Sequence, residues 1–160
     1  MKMVYLLIFV FSASLAEGAA RGFEEKDKDA DSTPMKFEFI GNTSLVVIPI
    51  FVNGQGPYRF LLDTGASHSL LSAALAKKLD IRNGRTENLI TAGGAVAVSI
   101  RGLEVLQVGT LRIHRPQIAV GDFGLLSTLH VDGILGGDFL KSFNLFIDYS
   151  RQVVRIGRVQ

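Results

Sequence analysis

An aspartate at the end of an apolar stretch is the residue of this sequence best placed to do chemistry. Residues 60–69 read Phe-Leu-Leu-Asp-Thr-Gly-Ala-Ser-His-Ser, so Asp63 follows an apolar strand and precedes a glycine turn. Turns held by a rigid strand commonly present reactive groups at a cleft. An aspartate that only caps its own loop produces the same local pattern. The stretch therefore predicts a reactive carboxylate at Asp63, with a structural turn as the alternative.

Hydrolysis by carboxylates requires a second acid beside Asp63. One ionised carboxylate takes a proton from water while a protonated carboxyl polarises the carbonyl, and two acids held close share a single proton. The chain has one Asp-Thr-Gly, and Asp132 lacks the Thr/Ser-Gly that follows Asp63. The other acids that lack it include Asp80, Asp122 and Asp148. The simplest solution is a two-fold dimer in which Asp63 of each chain meets Asp63 of the other.

Other chemistries find little support in the composition. The chain has no cysteine, which excludes thiol catalysis, disulfides and cysteine-based zinc sites. The three histidines (His68, His114 and His130) show no metal-ligand spacing, and no Gly-x-Ser-x-Gly is present. With 17 basic and 15 acidic side chains the net charge is +2, too even to indicate nucleic-acid binding. We therefore expect no metal, no cofactor and no nucleic-acid partner.

The N-terminus has the three parts of a secretory signal peptide. Lys2 is followed by the apolar run Met3–Phe11 and then by small residues, which predicts a signal over residues 1–16, with cleavage after Gly18 also fitting. The run is well short of the roughly 20 residues that span a membrane. Residues 17–35 are expected to form a flexible, charged leader. The sequence predicts an exported protein, periplasmic or secreted, without a stable membrane span.

Two predicted hairpins frame Asp63 in the remaining domain, residues 36–160. Asn53-Gly54 is a strong turn signal, and the return strand Tyr58–Leu62 leads directly into Asp63. A second hairpin is predicted to have its tip at Gly93-Gly94, although an ordinary hairpin turn gives the same signal.

The rest of the domain is predicted to be mostly β with one or two short helices. Ser72–Leu79 is the clear helix, with Ser72 as N-cap, and a second short helix is expected near Asp138, an acid of its first turn. Residues 121–130 read as a loop. The other predicted strands are Ser44–Val52, Val96–Arg101, Leu103–Val108, Leu111–Val120, Leu145–Tyr149 and Gln152–Ile156.

Together these features resemble the aspartic proteases, and most of all the small retropepsin-like branch, whose members work as homodimers. The matching motifs are the apolar strand into Asp63-Thr64-Gly65-Ala66-Ser67, the Gly-tipped hairpin Thr91–Gly94, and Ile134-Leu135-Gly136 ahead of a short helix. The resemblance covers about residues 36–156 and is nearest to exported bacterial members with a single such domain. It implies an all-β, closed barrel of the acid-protease type and an endopeptidase acting on proteins or peptides.

The resemblance assigns a role to each residue of the first motif. Asp63 is the catalytic acid and base, and Thr64 hydrogen-bonds across the dimer axis. Gly65 lets the backbone approach the carboxylate and offers its N–H. Ala66 supports the catalytic loop and lines the cleft together with Ser67, which is a polar contact for substrate.

The other two motifs imply a support and a flap. Ile134, Leu135 and Gly136 would pack behind the catalytic loop. The flap that would close over a bound peptide consists of Thr91, Ala92, Gly93 and Gly94.

The chain departs from the family pattern at two points. Ser67 stands where viral members have a second aspartate that grips the substrate backbone, and the flap lacks the aromatic residue of the pepsin-type enzymes. The alternative function is a module of the same fold that binds extended peptides or a partner without cutting. A monomeric protein would favour that alternative, because one Asp63 cannot form the pair.

Overall fold

The computed structural model of the protein describes residues 34–82, 84–91 and 94–158. The predicted signal peptide and residues 17–33 of the predicted leader lie outside these ranges, as do Ala92 and Gly93 of the predicted flap. The described residues are mostly β with three short helices, which agrees with the predicted class. No helix among them is long and apolar enough to cross a membrane.

The elements follow in chain order. The strands are β1 (Met35–Lys36), β2 (Glu38–Phe39), β3 (Val46–Val52), β4 (Gln55–Leu62), β5 (Leu70–Ser72), β6 (Gly84–Thr91), β7 (Gly94–Gly102), β8 (Val105–Val108), β9 (Leu111–His114), β10 (Gln117–Gly121), β11 (Gly133–Leu135), β12 (Phe143–Asp148) and β13 (Val153–Arg158). The helices are α1 (Ala73–Lys78), α2 (Gly124–Thr128) and α3 (Gly137–Leu140).

These strands form two sheets. The larger has the order β6-β7-β10-β5-β11-β4-β3-β8-β9, with β2 also paired to β3, and the smaller has the order β1-β13-β12. Within the described part of the chain no pairing joins β6 to β9, so closure of the large sheet into a barrel stays a prediction.

The first predicted hairpin is confirmed and joins β3 to β4. Asn53 and Gly54 both have positive φ, 51° and 75°, as a two-residue hairpin turn of this hand requires. The Asn53 side chain also accepts hydrogen bonds from the N–H groups of Glu104 and Val105, at 2.9 and 3.2 Å. The turn is thereby tied to the start of β8.

The last three residues of β4 (residues 60–62) and all of β11 are buried on both faces. Phe60 and Leu135 are fully buried in the main core, whereas Leu61 and Ile134 face a second, smaller cluster around Leu126. Strands covered on both faces are typically continuous apolar runs, which is how the residues before Asp63 read. The end of β4 is therefore a rigid place to hold a side chain.

The predicted helix at Ser72–Leu79 is confirmed as α1. The Ser72 side chain accepts a hydrogen bond from the Leu75 N–H at 3.1 Å, and Leu79 is the C-cap. The acid Asp138 lies in the first turn of α3, as predicted.

Two local predictions differ from the structure. Residues 121–130, expected to be a loop, include α2, whose Leu126 is 1% exposed and whose Ser127 and Thr128 hydroxyls donate to the Gly124 carbonyl. Five residues are too few to show a helical period in the sequence, so tertiary burial decides. The β segment expected over 111–120, in which Pro116 suggested an edge or bulge, is divided into β9 and β10 at Arg115, where φ is 54°.

The turn between β12 and β13 gives the domain an acid-sensitive contact. The pKa of the Asp148 carboxyl lies below its ordinary value, first because the Ser150 hydroxyl donates to it at 2.7 Å and then because the Arg151 N–H donates at 2.9 Å.

Asp148→Asn is therefore expected to lower the resistance to urea at neutral pH and to have little effect in acid. A folded-state pKa below the unfolded value contributes stability above the unfolded pKa, and that contribution is lost as pH falls through the folded pKa. Urea unfolding of both proteins at about pH 7 and about pH 2 measures the difference. A deficit that is equally large at both pH values would contradict the assignment.

Candidate active site

Asp63 lies where the parallel strands β4 and β11 end. Phe60 pairs with Gly133 and Leu62 with Leu135, so Asp63 and Gly136 follow at the same edge of the sheet. The Asp63 N–H donates to the Leu135 carbonyl at 3.1 Å, which continues the pairing for one more residue. The predicted support from residues 134–136 is thus a direct strand contact.

The turn after Asp63 orients its carboxylate. The Gly65 N–H donates to Oδ1 of Asp63 at 2.9 Å, and the Ala66 N–H donates to the Asp63 carbonyl at 3.3 Å. A Cβ on Gly65 would lie 3.3 Å from the same Oδ1, closer than side chains ordinarily sit. The carboxylate is therefore fixed by its own loop, with Oδ1 engaged by one N–H and the side chain half-buried.

The segment 66–69 crosses the end of β11, because β11 lies between β4 and β5 in the sheet. At the crossing, a Cβ on Gly136 would meet the His68 carbonyl oxygen at 2.6 Å and its carbon at 2.7 Å. The Gly137 N–H donates to the Ala66 carbonyl at 2.7 Å, and the Asp138 N–H donates to the Ser67 carbonyl at 3.1 Å. Glycine at 136 is thus required by close backbone approach, which gives the third sequence motif a physical reason.

The predicted site residues of this loop differ in exposure. Thr64, Gly65 and Ser67 are exposed, whereas Ala66 is half-buried and packs against the second cluster. Ile134 and Leu135 are buried, 6% and 0% exposed. The polar residues of the loop are therefore exposed to solvent, and the β11 residues behind the loop are buried in the core.

Ser69 and Asp138 are two residues that the sequence analysis did not assign to the site. The Ser69 N–H and hydroxyl both donate to Oδ1 of Asp138, at 2.8 and 2.6 Å. Asp138 was interpreted only as an acid of a helix first turn, and the 69-residue separation of the pair gave no sequence signal. Its position directly after Gly136-Gly137 was the one available hint.

Asp132, the considered partner within the chain, is far from Asp63. Its carboxylate accepts the Arg59 N–H at 2.9 Å, and its own N–H donates to the Arg59 carbonyl at 2.7 Å. Arg59 precedes Asp63 by four residues of β4, which at about 3.3 Å per residue is about 13 Å. Two short carboxylates at opposite ends of a strand pair cannot share a proton, which requires a separation of about 3 Å.

The second predicted hairpin is formed by β6 and β7. The two strands pair along their whole length, from Gly84 opposite Arg101 to Thr91 opposite Gly94. Only the inner end of β7 pairs with β10, at residues 99–102. Among the described strands, the outer part of β7 therefore pairs with β6 alone, and the hairpin extends past the sheet as a two-stranded arm, as a flap would.

Among the residues that the structure describes, no metal site is found. Within residues 34–82, 84–91 and 94–158, no group of three or more His, Asp or Glu side chains is arranged to hold one. Within the described residues, the site presents the Asp63 carboxylate and the backbone of its own loop.

Two solved structures have a similar fold. A retropepsin-like aspartic protease from Rickettsia conorii superposes with a TM-score of 0.55 at 20% identity, over 79% of this chain and 91% of that one. The EIAV protease, solved in complex with the inhibitor HBY-793, gives a TM-score of 0.50 at 23% identity, over 65% of this chain and 92% of that one. These similarities show a retropepsin-like fold.

The sequence comparisons agree with this fold. No curated protein matches the chain. The profile of the aspartyl protease family matches residues 48–139, more than half of the 160 residues, and the matched range includes both Asp63 and Asp138. The chain therefore belongs to the aspartyl protease family.

Proposed function

We propose that the protein is an aspartic endopeptidase whose active site is completed by a second copy of the chain. The observation that carries this proposal is the placement of Asp63 on a glycine turn at the end of a buried strand pair, with Asp132 held at the opposite end. The chain has no second Asp-Thr-Gly. A homodimer supplies the second carboxylate by symmetry.

The exposure of the catalytic loop supports this dimer. Thr64 and Gly65, which follow Asp63 at the tip of the turn, are both exposed. They are therefore accessible to the same residues of another copy, and an isologous contact at this tip brings the two Asp63 carboxylates together. Thr64 would then hydrogen-bond across the axis.

The chemistry needs only the shared proton and one water. The ionised Asp63 takes a proton from the water, whose oxygen attacks the carbonyl carbon of the scissile bond, while the protonated Asp63 of the other copy donates to the carbonyl oxygen. The resulting tetrahedral diol then breaks its C–N bond as the amide nitrogen takes a proton from one carboxyl of the pair and a hydroxyl of the diol returns a proton to the other, which restores the shared proton. The products are a free carboxyl group and a free amine.

The substrate in this proposal is an extended peptide. It would lie between the loop floor, at Ala66 and Ser67, and the β6–β7 hairpin, in which Thr91 pairs with Gly94. A two-stranded arm suits recognition by strand addition and the exclusion of water on closure. We also propose that the protein works outside the cytoplasm, in the periplasm or secreted, as its N-terminal segment indicates.

A subunit-mixing experiment tests whether two chains share one site. Wild-type protein is held constant and equilibrated with an equal amount of Asp63→Asn protein before a peptide-cleavage assay. Random pairing leaves only half of the wild-type chains in wild-type dimers, so activity should fall to about half. The matched control is the same titration with Asp132→Asn protein, which should not inhibit.

Two results would contradict the proposal. Undiminished activity, with subunit exchange verified by mass spectrometry, would show a site complete within one chain. A monomeric protein that binds extended peptides and cleaves none of them would support the non-catalytic binding module instead.

A further inference from the structure

A polar contact between side chains behind the catalytic loop joins Ser69 to Asp138. Oδ1 of Asp138 accepts three hydrogen bonds, from the Ser69 N–H, the Ser69 hydroxyl and the Phe139 N–H, at 2.8, 2.6 and 2.8 Å. The Ser69 hydroxyl oxygen in turn accepts the Gly136 N–H at 3.0 Å. We call this set of four hydrogen bonds the Ser69–Asp138 latch.

The Ser69 side of the latch is buried, and Asp138 is half-buried. Ser69 is 4% exposed and is the only buried polar residue among those that the structure describes. Hydrogen bonds to a carboxylate are stronger than neutral ones, and a buried donor left without an acceptor is costly. The hydroxyl of Ser69 is used both as donor and as acceptor, so its orientation is fixed.

The latch closes one end of the loop that carries Asp63. At the other end the Asp63 N–H is bonded to the Leu135 carbonyl, and between them Ala66 and Ser67 accept N–H groups from residues 137 and 138. Most of the loop has little packing to hold it, because Thr64, Gly65, Ser67 and His68 are exposed. The path of the loop is therefore determined mainly by its hydrogen bonds to residues 135–138. The bonds of the latch involve side-chain atoms, whereas the others join backbone groups.

We propose that Asp138 and Ser69 are positioning residues of the active site, which hold the Asp63 loop and the cleft floor in their reactive geometry. The proposal rests on the proposed function. Asp138 acts through its acceptor oxygen and does not exchange a proton with substrate. Because a displacement of about 1 Å at a reacting group can cost about a hundredfold in rate, loosening the latch should reduce turnover without removing any catalytic group.

Three variants of the mature protein test the latch. Asp138→Ala removes the acceptor, Ser69→Ala removes the hydroxyl, and Asp138→Asn keeps an oxygen that can accept the same three bonds. In the first two, kcat per folded molecule should fall by about tenfold to a hundredfold, and backbone amides of residues 64–69 should exchange hydrogen about tenfold faster or more. Asp138→Asn should stay within about threefold of wild type in both measurements.

The matched control is Thr43→Ala. The Thr43 hydroxyl also donates and accepts, to the Ile40 carbonyl at 2.7 Å and from the Leu45 N–H at 3.2 Å, but it lies in an exposed turn. This variant should leave kcat and exchange at residues 64–69 unchanged. If Asp138→Ala fails to fold, Ser69→Ala carries the test, because it leaves the carboxylate and two of its bonds in place.

The outcomes separate this proposal from the proposed function. If Asp138→Ala and Ser69→Ala only reduce global stability, with unchanged kcat per folded molecule and unchanged local exchange, the latch proposal is wrong and the protease stands. Wild-type protein that cleaves no peptide would refute the proposed function. Hydrogen exchange needs no substrate, so it would still test the latch in that case. Faster exchange confined to residues 64–69 would still show that the latch holds the loop.

Discussion

Replacing Asp63 by Asn should reduce kcat/KM for peptide cleavage by roughly a thousandfold or more, because the substituted pair can no longer take a proton from water. The side chain keeps its shape, and its amide oxygen can still accept the Gly65 N–H that orients the carboxylate. The loop geometry and the folded state should therefore survive. Peptide-library digestion, followed by kinetics on the best peptide at several pH values, measures the loss.

Asp132→Asn is the matched control for this variant. It makes the same chemical change at the opposite end of the β4–β11 pair, and its amide oxygen can still accept the Arg59 N–H. Activity should stay within about threefold of wild type, as for a substitution outside a reacting site. If both variants lose activity equally, the second carboxylate comes from the same chain and the dimeric site is wrong.

Gly136→Ala should have the second largest effect, on both stability and activity. The added Cβ would lie 2.6 Å from the His68 carbonyl oxygen and 3.0 Å from that of Ala66, and both are backbone atoms that cannot rotate away. Either the loop moves off β11 or the domain is strained, at a cost of about 2 kcal/mol or more. Urea unfolding measures the free energy of unfolding. The rate of peptide cleavage by the folded protein reports whether the loop has moved, because a displaced Asp63 lowers that rate.

Gly124→Ala provides the comparison for that experiment. A Cβ at this first residue of α2 would meet no atom within 4 Å, and the position does not require a positive φ. Its stability should equal or exceed that of wild type, since alanine favours a helix more than glycine does. Wild-type stability in Gly136→Ala as well would show that the loop can move away from β11 at no cost.

Sequence reasoning was most reliable where a local pattern has a local cause. Asn53-Gly54 demanded a turn with two positive φ angles, and Ser72 capped the helix that followed it, as the structure confirms. It failed where burial across the chain decides. The five residues of α2 became a helix around a single buried Leu126.

The candidate site divides in the same way. The sequence alone determined that Asp63 ends an apolar strand on a glycine turn and that the chain holds no second copy of that motif. Only the tertiary structure decided that β11 lies between β4 and β5, so that the loop must cross Gly136. It also decided that Asp132 lies at the opposite end of the β4–β11 pair from Asp63, and that Ser69 contacts Asp138. The physical reason is that turns and caps depend on neighbours in sequence, whereas close backbone approach and buried hydrogen bonds depend on strand order, which joins residues 67 to 73 positions apart.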